Sequence, residues 1–363
     1  YISLPILVFI LIPLGIFCTI VTKFVPIRMF PEMVRVAKEK KIDPEKKSSV
    51  SGLEALIVST ATRVGMGNLV GVVAAVSAGG AGAIFWMWLA AFFGMATIFS
   101  EAILAQLYRT RDNEGHITGG PAYYISYGLG SKPLATIFSV MLIIALGFIG
   151  NMVQANSIAT AFESAFGIPT PVSGLILILL AGFIFIGGIK RIASFAEKMV
   201  PLMALIYVMG AIFIMLMCWD NILSTFDAIS IGAFNPSAAT GCVIGASVKE
   251  AIHYGVARGL FSNEAGMGST PHAHALAHVK QPHDQGVIAM VGVFIDTFVV
   301  LTLTALVVIS GLYTDGGVLA SGAAEGVSKT NMAQLAFTTV FGHGVASVFV
   351  AVSLLFFAFS TIL

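Results

Sequence analysis

A chain of 363 residues with 57% hydrophobic and only 10% charged side chains, at a mean hydropathy of +0.95, is not a soluble globular domain. Soluble domains carry roughly 25% charged residues, so the missing charge predicts a surface that mostly faces lipid. The net charge of +1, with no basic residues gathered on a soluble face, gives no sign of a nucleic-acid partner, and none is expected.

A helix needs about 20 predominantly apolar residues to cross the hydrocarbon core. On that measure nine spans are predicted, near 2–22, 52–78, 82–108, 134–161, 171–189, 197–218, 241–270, 286–312 and 342–363. Residues 331–341 read as a short helix outside the membrane. The first span lacks a charged leading region and an Ala-x-Ala cleavage site, which predicts a retained helix rather than a signal peptide. Cys18, Cys218 and Cys242 lie in or beside apolar segments without metal spacing, and read as packing residues rather than a disulfide framework. The chain begins without Met and stops at Leu363 inside an apolar run, which reads as a fragment.

Orientation follows from Lys and Arg in short loops. The first loop carries Lys23, Arg28, Arg35, Lys38, Lys40, Lys41, Lys46 and Lys47. The third connection has Arg109, Arg111 and Lys132, the fifth Lys190, Arg191 and Lys198, the seventh Lys280. The even connections are nearly bare, so the basic loops are expected in the cytoplasm and the N-terminus outside.

Two spans are interrupted in matching style. One reads Thr62-Arg63-Val64-Gly65-Met66-Gly67-Asn68, the other Asn263-Glu264-Ala265-Gly266-Met267-Gly268-Ser269. Backbone freed at membrane depth is tolerated only where it lines a cavity or is buried in protein. A pair of such breaks in corresponding positions points to the substrate site of an inverted-repeat transporter. The predicted fold is an all-α polytopic membrane protein. An extra helix (1–22) and a basic loop (23–51) precede a first five-helix repeat (52–218). A loop over 219–240 then leads into a second, incomplete repeat (241–363), with two helices expected beyond it.

At the first break Gly65, Gly67 and Gly71 remove side chains where backbone leaves helical geometry. Asn68 adds an amide. Free carbonyls there suit a cation, and the N–H groups of the following half-helix suit a carboxylate. Small residues are also common wherever membrane helices pack, and one Gly-x-Gly alone does not separate the two readings. The second broken span holds Lys249, Glu250, Arg258 and Glu264. Arg63 and Glu264, each beside a break, are expected in one polar network, either structural or functional. Lys249 and Glu250 suit the outer interface.

Gln154 and Ser157 lie three apart on one face of the fourth span, beside Asn151 and Asn156, and read as a cavity wall or as interhelical hydrogen bonds. Asp296, alone in the eighth span, reads as a proton site or a structural acid. Ser360 and Thr361 offer hydroxyls to a hard cation or to their own helix carbonyls. His272, His274, His278 and His283 lack a nearby acid or cysteine, and a polar helix end explains them more simply than a metal site. Isolated polar clusters rather than rings argue against a channel. No nucleophile motif supports an intramembrane hydrolase.

Four stretches carry a resemblance: Arg63 to Asn68, Thr118-Gly119-Gly120-Pro121-Ala122-Tyr123-Tyr124, Asn151 to Ser157, and Gly255 to Gly268. From about Gly52 to its end the chain resembles the alanine/glycine:cation symporter family. That resemblance implies eleven helices in a leucine-transporter-type fold, and sodium-coupled symport of alanine or glycine in a prokaryotic plasma membrane. Some relatives use protons. It implies no enzyme activity, no cofactor beyond the coupling ion, and no obligate protein partner. By similarity, substrate falls to Gly65, Met66, Gly67 and Asn68, to Gly259, Phe261, Ser262 and Gly266, and to Gln154. Sodium falls to the carbonyls of Ala61 and Val64 and the hydroxyls of Ser360 and Thr361. Met66 stands where many relatives have Thr, a departure that bears on pocket size.

Overall fold

The computed structural model describes residues 3–38, 50–113, 115–235, 247–312 and 332–363. The start of the predicted seventh span, together with Cys242, lies outside them. Helices dominate, as lipid requires of a chain that satisfies its own backbone. The sequence opens with α1 (Ser3–Val21), α2 (Val25–Arg28) and α3 (Phe30–Lys38), followed by strand β1 (Val50–Ser51) and α4 (Gly52–Arg63). A short 3-10 turn (Met66–Asn68) separates α4 from α5 (Val70–Gly79), and α6 (Ala83–Leu107) follows. Strands β2 (Thr110–Arg111) and β3 (Ile117–Thr118) form a small antiparallel ribbon before α7 (Pro121–Gly128).

One continuous helix then combines α8 (Lys132–Leu142), a π-helical run (Ile143–Gly150) and α9 (Asn151–Phe166). The helices α10 (Thr170–Phe185), α11 (Gly188–Met217), α12 (Asp220–Phe234) and α13 (Val248–Asn263) come next. Beyond α13 stand α14 (Pro271–Leu276), strand β4 (Ala277–His278) and α15 (Pro282–Val293). A second π-helical run (Phe294–Leu301) continues into α16 (Thr302–Leu312), and α17 (Met332–Ile362) is last. Gly342, at φ 72, breaks α17 into a short helix and a membrane-length one.

Among the described residues, five helices are long and apolar enough to cross a bilayer. The pair Ala55–Arg63 and Met66–Gly79, bent by 54°, makes a sixth. Helices α1 and α10 are apolar but shorter, and α13 has 16 residues. Its N-terminus is closed by a capping box in which Ser247 accepts from the Glu250 N–H and Glu250 accepts from the Ser247 N–H.

Hydropathy marks the spans but passes over short amphipathic helices. The connection expected as a loop over 219–240 is helical from Asp220 to Phe234, and α7 occupies a connection with no predicted element. Both are shorter than 20 residues and carry polar side chains, so neither raises a 20-residue average. In α12 only Thr225, Ile229, Gly232 and Ala233 are buried.

Burial separates centre from periphery. The window within Pro282–Leu312 is 67% buried and that within Ala83–Leu107 is 61%, against 6% for Lys132–Phe166. Thus α6, α15 and α16 form the middle, and the outer face of α8 and α9 is left for lipid. The core that runs from Ala61 and Leu69 through Met203 and Tyr207 to Phe337 and Phe357 is continuous around the first break. Close helix approach depends on glycine. A Cβ on Gly255 of α13 would lie 2.3 Å from the Ala83 carbonyl oxygen and 2.7 Å from Trp86 Cβ. A Cβ on Gly174 of α10 meets nothing within 4 Å.

Gly255→Ala is expected to destabilise the fold by about 1–3 kcal/mol through overpacking, read as a lower unfolding temperature in detergent. Gly174→Ala, which only stiffens an open helix, is expected to be neutral or stabilising by about 0.5–1 kcal/mol. Equal unfolding temperatures for the two variants would contradict the α6–α13 packing.

Candidate functional site

The first break begins where α4 ends at Arg63. Gly65 is extended (φ −121, ψ −154), Met66–Asn68 form one 3-10 turn, and α5 resumes at Val70. Local bonds satisfy part of the freed backbone: Gly65 N–H donates to the Arg63 carbonyl at 2.8 Å and Asn68 N–H to that of Gly65 at 3.2 Å. The Met66 N–H donates to Gln154 Oε1 at 3.4 Å, so the predicted wall residue of α9 reaches the break. Ser157, one turn on, places its hydroxyl 3.3 Å from Met66 Sδ.

The second break begins after Asn263. Glu264, Gly266 and Gly268 all take left-handed backbone, at φ 55, 87 and 78. Such geometry suits glycine and strains an acid with a Cβ. Side chains stabilise it: Ala265 N–H donates to Asn263 Oδ1 at 3.0 Å, and Gly266 N–H to Glu101 Oε2 at 3.0 Å. Glu264 Oε2 accepts from Ser269 at 2.6 Å and from Thr62 at 3.4 Å, which joins the two breaks.

The breaks meet at a polar centre. A Cβ on Gly67 would stand 3.2 Å from Ser262 Cα, so only glycine allows this approach without a shift. Asn68 Nδ2 donates to Asp296 Oδ1 at 2.8 Å, and the Ser262 hydroxyl contacts Asn68 Oδ1 and, at 3.2 Å, Asp296 Oδ2. Thr297 donates to Asp296 Oδ2 at 3.1 Å. All four side chains are buried.

On the other flank, the hydroxyls of Ser360 and Thr361 lie 3.1 and 3.3 Å from the Ala61 carbonyl oxygen, and Thr361 also lies 3.4 Å from that of Thr62. Each hydroxyl bonds the Phe357 carbonyl of its own helix as well, at 2.8 and 3.1 Å. Val64 is buried in the same turn. Carbonyl and hydroxyl oxygens from two helices are the donors a hard monovalent cation takes. The Thr361 hydroxyl also crowds the break, 2.6 Å from where a Cβ on Gly65 would stand.

Three candidates lie away from this centre. Gly259 packs on the α6 backbone, where a Cβ would be 3.1 Å from Met87 Cα. Gly266 faces Leu11 of α1 and Thr97 of α6. Phe261 is 39% exposed, beside a fully buried Ser262. In these positions the glycines serve helix packing, which spacing alone does not distinguish from ligand contact.

Arg63 is buried, with Glu264, Asp296 and Glu101 as its electrostatic neighbours. Its Nη1 donates to the Ala289 carbonyl at 3.3 Å, while Nε and Nη2 have no partner. The expected link between Arg63 and Glu264 is therefore electrostatic, since the Glu264 carboxylate bonds hydroxyls. Room for the guanidinium comes from Gly292, where a Cβ would lie 2.0 Å from Nη1.

The histidines take separate partners. His272 Nδ1 lies 3.0 Å from the Gly119 carbonyl oxygen and His274 Nδ1 lies 2.6 Å from Gln285 Nε2. Burial holds both imidazoles below the usual histidine range. Among the described residues no three His, Cys, Asp or Glu side chains are grouped to hold a metal.

Glu101 is the site residue that the sequence analysis passed over, while Asp296, read there as a proton site or a structural acid, is brought to Asn68 and Ser262. Their signal is the same, a single acid in a long apolar helix, where a carboxylate is expensive unless it is partnered.

The family model described as the sodium:alanine symporter family matches residues 1–363. The chain is 42% identical over 356 residues to the amino-acid carrier protein AlsT of Bacillus subtilis, covering 98% of this chain and 72% of that one. It is 38% identical over 363 residues to the sodium/alanine symporter AgcS of Methanococcus maripaludis, covering 99% and 78%. Among solved structures it is similar to an Eremococcus coleocola manganese transporter at a TM-score of 0.46 and 15% identity, covering 86% of this chain and 67% of that one.

Gly292→Ala is expected to displace the Arg63 guanidinium and cost about 3 kcal/mol or more, as for other disrupted buried charges. The measurement is thermal unfolding in detergent. Gly292→Ala and Arg63→Ala are expected to lower the midpoint similarly, and the double variant to add little. Full additivity would mean the two positions do not act on each other.

Proposed function

The chain belongs to the sodium:alanine symporter family, and from that premise we propose that it carries alanine or glycine together with sodium by alternating access. It is a transporter with several membrane-spanning helices, not an enzyme. The reading rests above all on one observation. The first break touches both the second broken helix, through Gly67 and Ser262, and the α17 hydroxyls, through Gly65 and Thr361.

In this reading sodium binds between α4 and α17, held by the Ala61 and Val64 carbonyls and the Ser360 and Thr361 hydroxyls. The ion replaces hydroxyl-to-carbonyl hydrogen bonds with ligation and fixes the α4 end against α17. Substrate carboxylate meets backbone N–H groups over Gly65–Asn68, at the positive end of α5. Its ammonium meets freed carbonyls of the second broken helix near Ser262. Gln154 and Met66, in contact at 3.4 Å, stand beside the substrate side chain and leave room for a small one. Coupling requires only that ion and substrate favour the same conformation. Gly259 and Gly266 support this site by packing. We further assign the helices to an inverted five-plus-five repeat with α1 outside it, and the N-terminus to the outer face of a prokaryotic plasma membrane.

Radiolabelled alanine uptake into proteoliposomes tests the reading, with an inward sodium gradient and a potassium control. Sodium-driven accumulation, blocked by excess glycine and not by leucine or glutamine, is the expected result. Thr361→Ala is expected to raise the sodium concentration for half-maximal uptake about tenfold, equivalent to about 1.4 kcal/mol, with maximal uptake little changed. An identical sodium response in variant and wild type would remove Thr361 from the ion site.

A further inference from the structure

Asp296 has no task in the transport scheme above, yet it stands where the two breaks meet. It lies in the π-helical run Phe294–Leu301 and is fully buried. With Asn68 and Ser262 it forms a closed ring of three polar contacts: Asn68 to Asp296 at 2.8 Å, Asn68 to Ser262, and Ser262 to Asp296 at 3.2 Å. Made as three separate two-centre bonds, these contacts need three hydrogens. The Asn68 amide supplies one, because its other end is an oxygen that only accepts. The Ser262 hydroxyl supplies a second.

Turning the Asn68 amide over does not change the total. Its nitrogen would then serve Ser262 and the Ser262 hydrogen would serve Asp296, leaving an Asn68 oxygen facing an Asp296 oxygen. Thr297 does not help, because its one hydrogen is spent on its own contact with Asp296 Oδ2. We infer that Asp296 supplies the third hydrogen as a neutral carboxylic acid, and that it is a proton-binding site whose occupancy is tied to contact between the two broken helices.

The charged surroundings permit this. Arg63 on α4 acts on Asp296, but Glu264 after α13 and Glu101 on α6 share its field, and its one bond goes to the Ala289 carbonyl. On α13 the nearest titratable group is Arg258, one turn before Ser262. On α15, His283 and Asp284 sit at the far end, and α5 and α16 have no titratable side chain. When the breaks part, Asn68 and Ser262 withdraw their hydrogen-bonding atoms and water reaches the acid. The Asp296 O–H bond breaks, its proton passes to that water, and a carboxylate remains. Closure takes a proton back. Nothing is oxidised or reduced. Closed contact thus binds a proton that the open form releases, so alkaline pH disfavours closure.

The assignment of the proton rests on the ring alone, while its link to transport rests on the function proposed above. Infrared spectra of purified protein test the first part. Wild type is expected to show a protonated-carboxyl C=O stretch that Asp296→Asn lacks. Asparagine keeps the ring, its amide N–H replacing the acid O–H, and the bands of Glu101 and Glu264 cancel in the difference. In proteoliposomes, sodium-driven alanine uptake by wild type is expected to fall about tenfold per pH unit above the midpoint, as one linked proton dictates, with Asp296→Asn flat over that range.

Absence of a difference band overturns the proton site, and an accompanying rise in the sodium requirement of Asp296→Asn makes the ring a cation site instead. A band with identical pH profiles in the two proteins overturns the coupling. Should Asp296→Asn fail to fold, the Glu101→Gln, Glu264→Gln double variant decides: its remaining carboxyl band disappears in one alkaline titration step, or the inference is wrong. Wild type that accumulates no alanine would sink the substrate assignment and leave the infrared result to judge the proton.

Discussion

Backbone polar groups have no water to turn to in a bilayer, and that constraint governs this architecture. A helix satisfies its own N–H and C=O groups, so every departure from helix leaves a debt to be settled by a neighbour. Here departures occur at Gly65–Asn68 and at Glu264–Thr270, and the neighbours are specific. Gln154 of α9 receives the Met66 N–H, Asn263 that of Ala265, and Glu101 of α6 that of Gly266. Thr62 and Ser262 bind across from one break to the other. Polar side chains that would be costly alone become stabilising once they share these groups. The polar centre therefore follows from the breaks, and the breaks endure because the centre exists.

Placement of the remaining helices follows from that centre. With α6, α15 and α16 largely buried, Asp296 in the π-helical run between α15 and α16 is fully enclosed by protein, and Glu101 of α6 is partly buried against the second break. Arg63 lies among them, and Gly292 on α15 is the vacancy that admits it. Large apolar side chains such as Phe148, Met152 and Ile178 are more than half exposed on the opposite flank, where α8 to α10 face outward. Exposure of that kind would mark an aggregation surface in water, whereas in a membrane it is the solvated side.

Much of this was legible in the sequence. Hydropathy marked the long helices, and glycine beside charged or amide residues marked the two breaks, because each signal is local. The boundary between the short helix over 331–341 and the last span was legible from hydropathy, and Gly342 stands at it. Partnership was not legible. Asn68 and Asp296 are 228 positions apart, and a single chain does not say which distant acid an amide meets. Gly259 and Gly266 illustrate the reverse difficulty: a glycine that lets helices touch and a glycine that opens backbone to a ligand look alike until the neighbouring helix is in place. The amphipathic α12 escaped because its polar residues, Asp220, Asn221 and Asp227 among them, lower an average tuned to spans.

A small pairing has a mechanical consequence. Strand β1 leads directly into α4, and β4 follows directly from α14, so the parallel register of Val50 with Ala277 and Ser51 with His278 ties one arm of each broken helix to the other. Arg109 and Gln106 at the end of α6 grip the Ala277 carbonyl, at 2.7 and 2.9 Å, beside the same seam. The seam therefore couples the position of one arm to that of the other. Separating them requires surrendering main-chain bonds, and at Ala277 those bonds are buried. The two broken helices are thus joined twice, by main-chain pairing at β1 and β4 and by buried side chains at Asn68, Ser262 and Asp296.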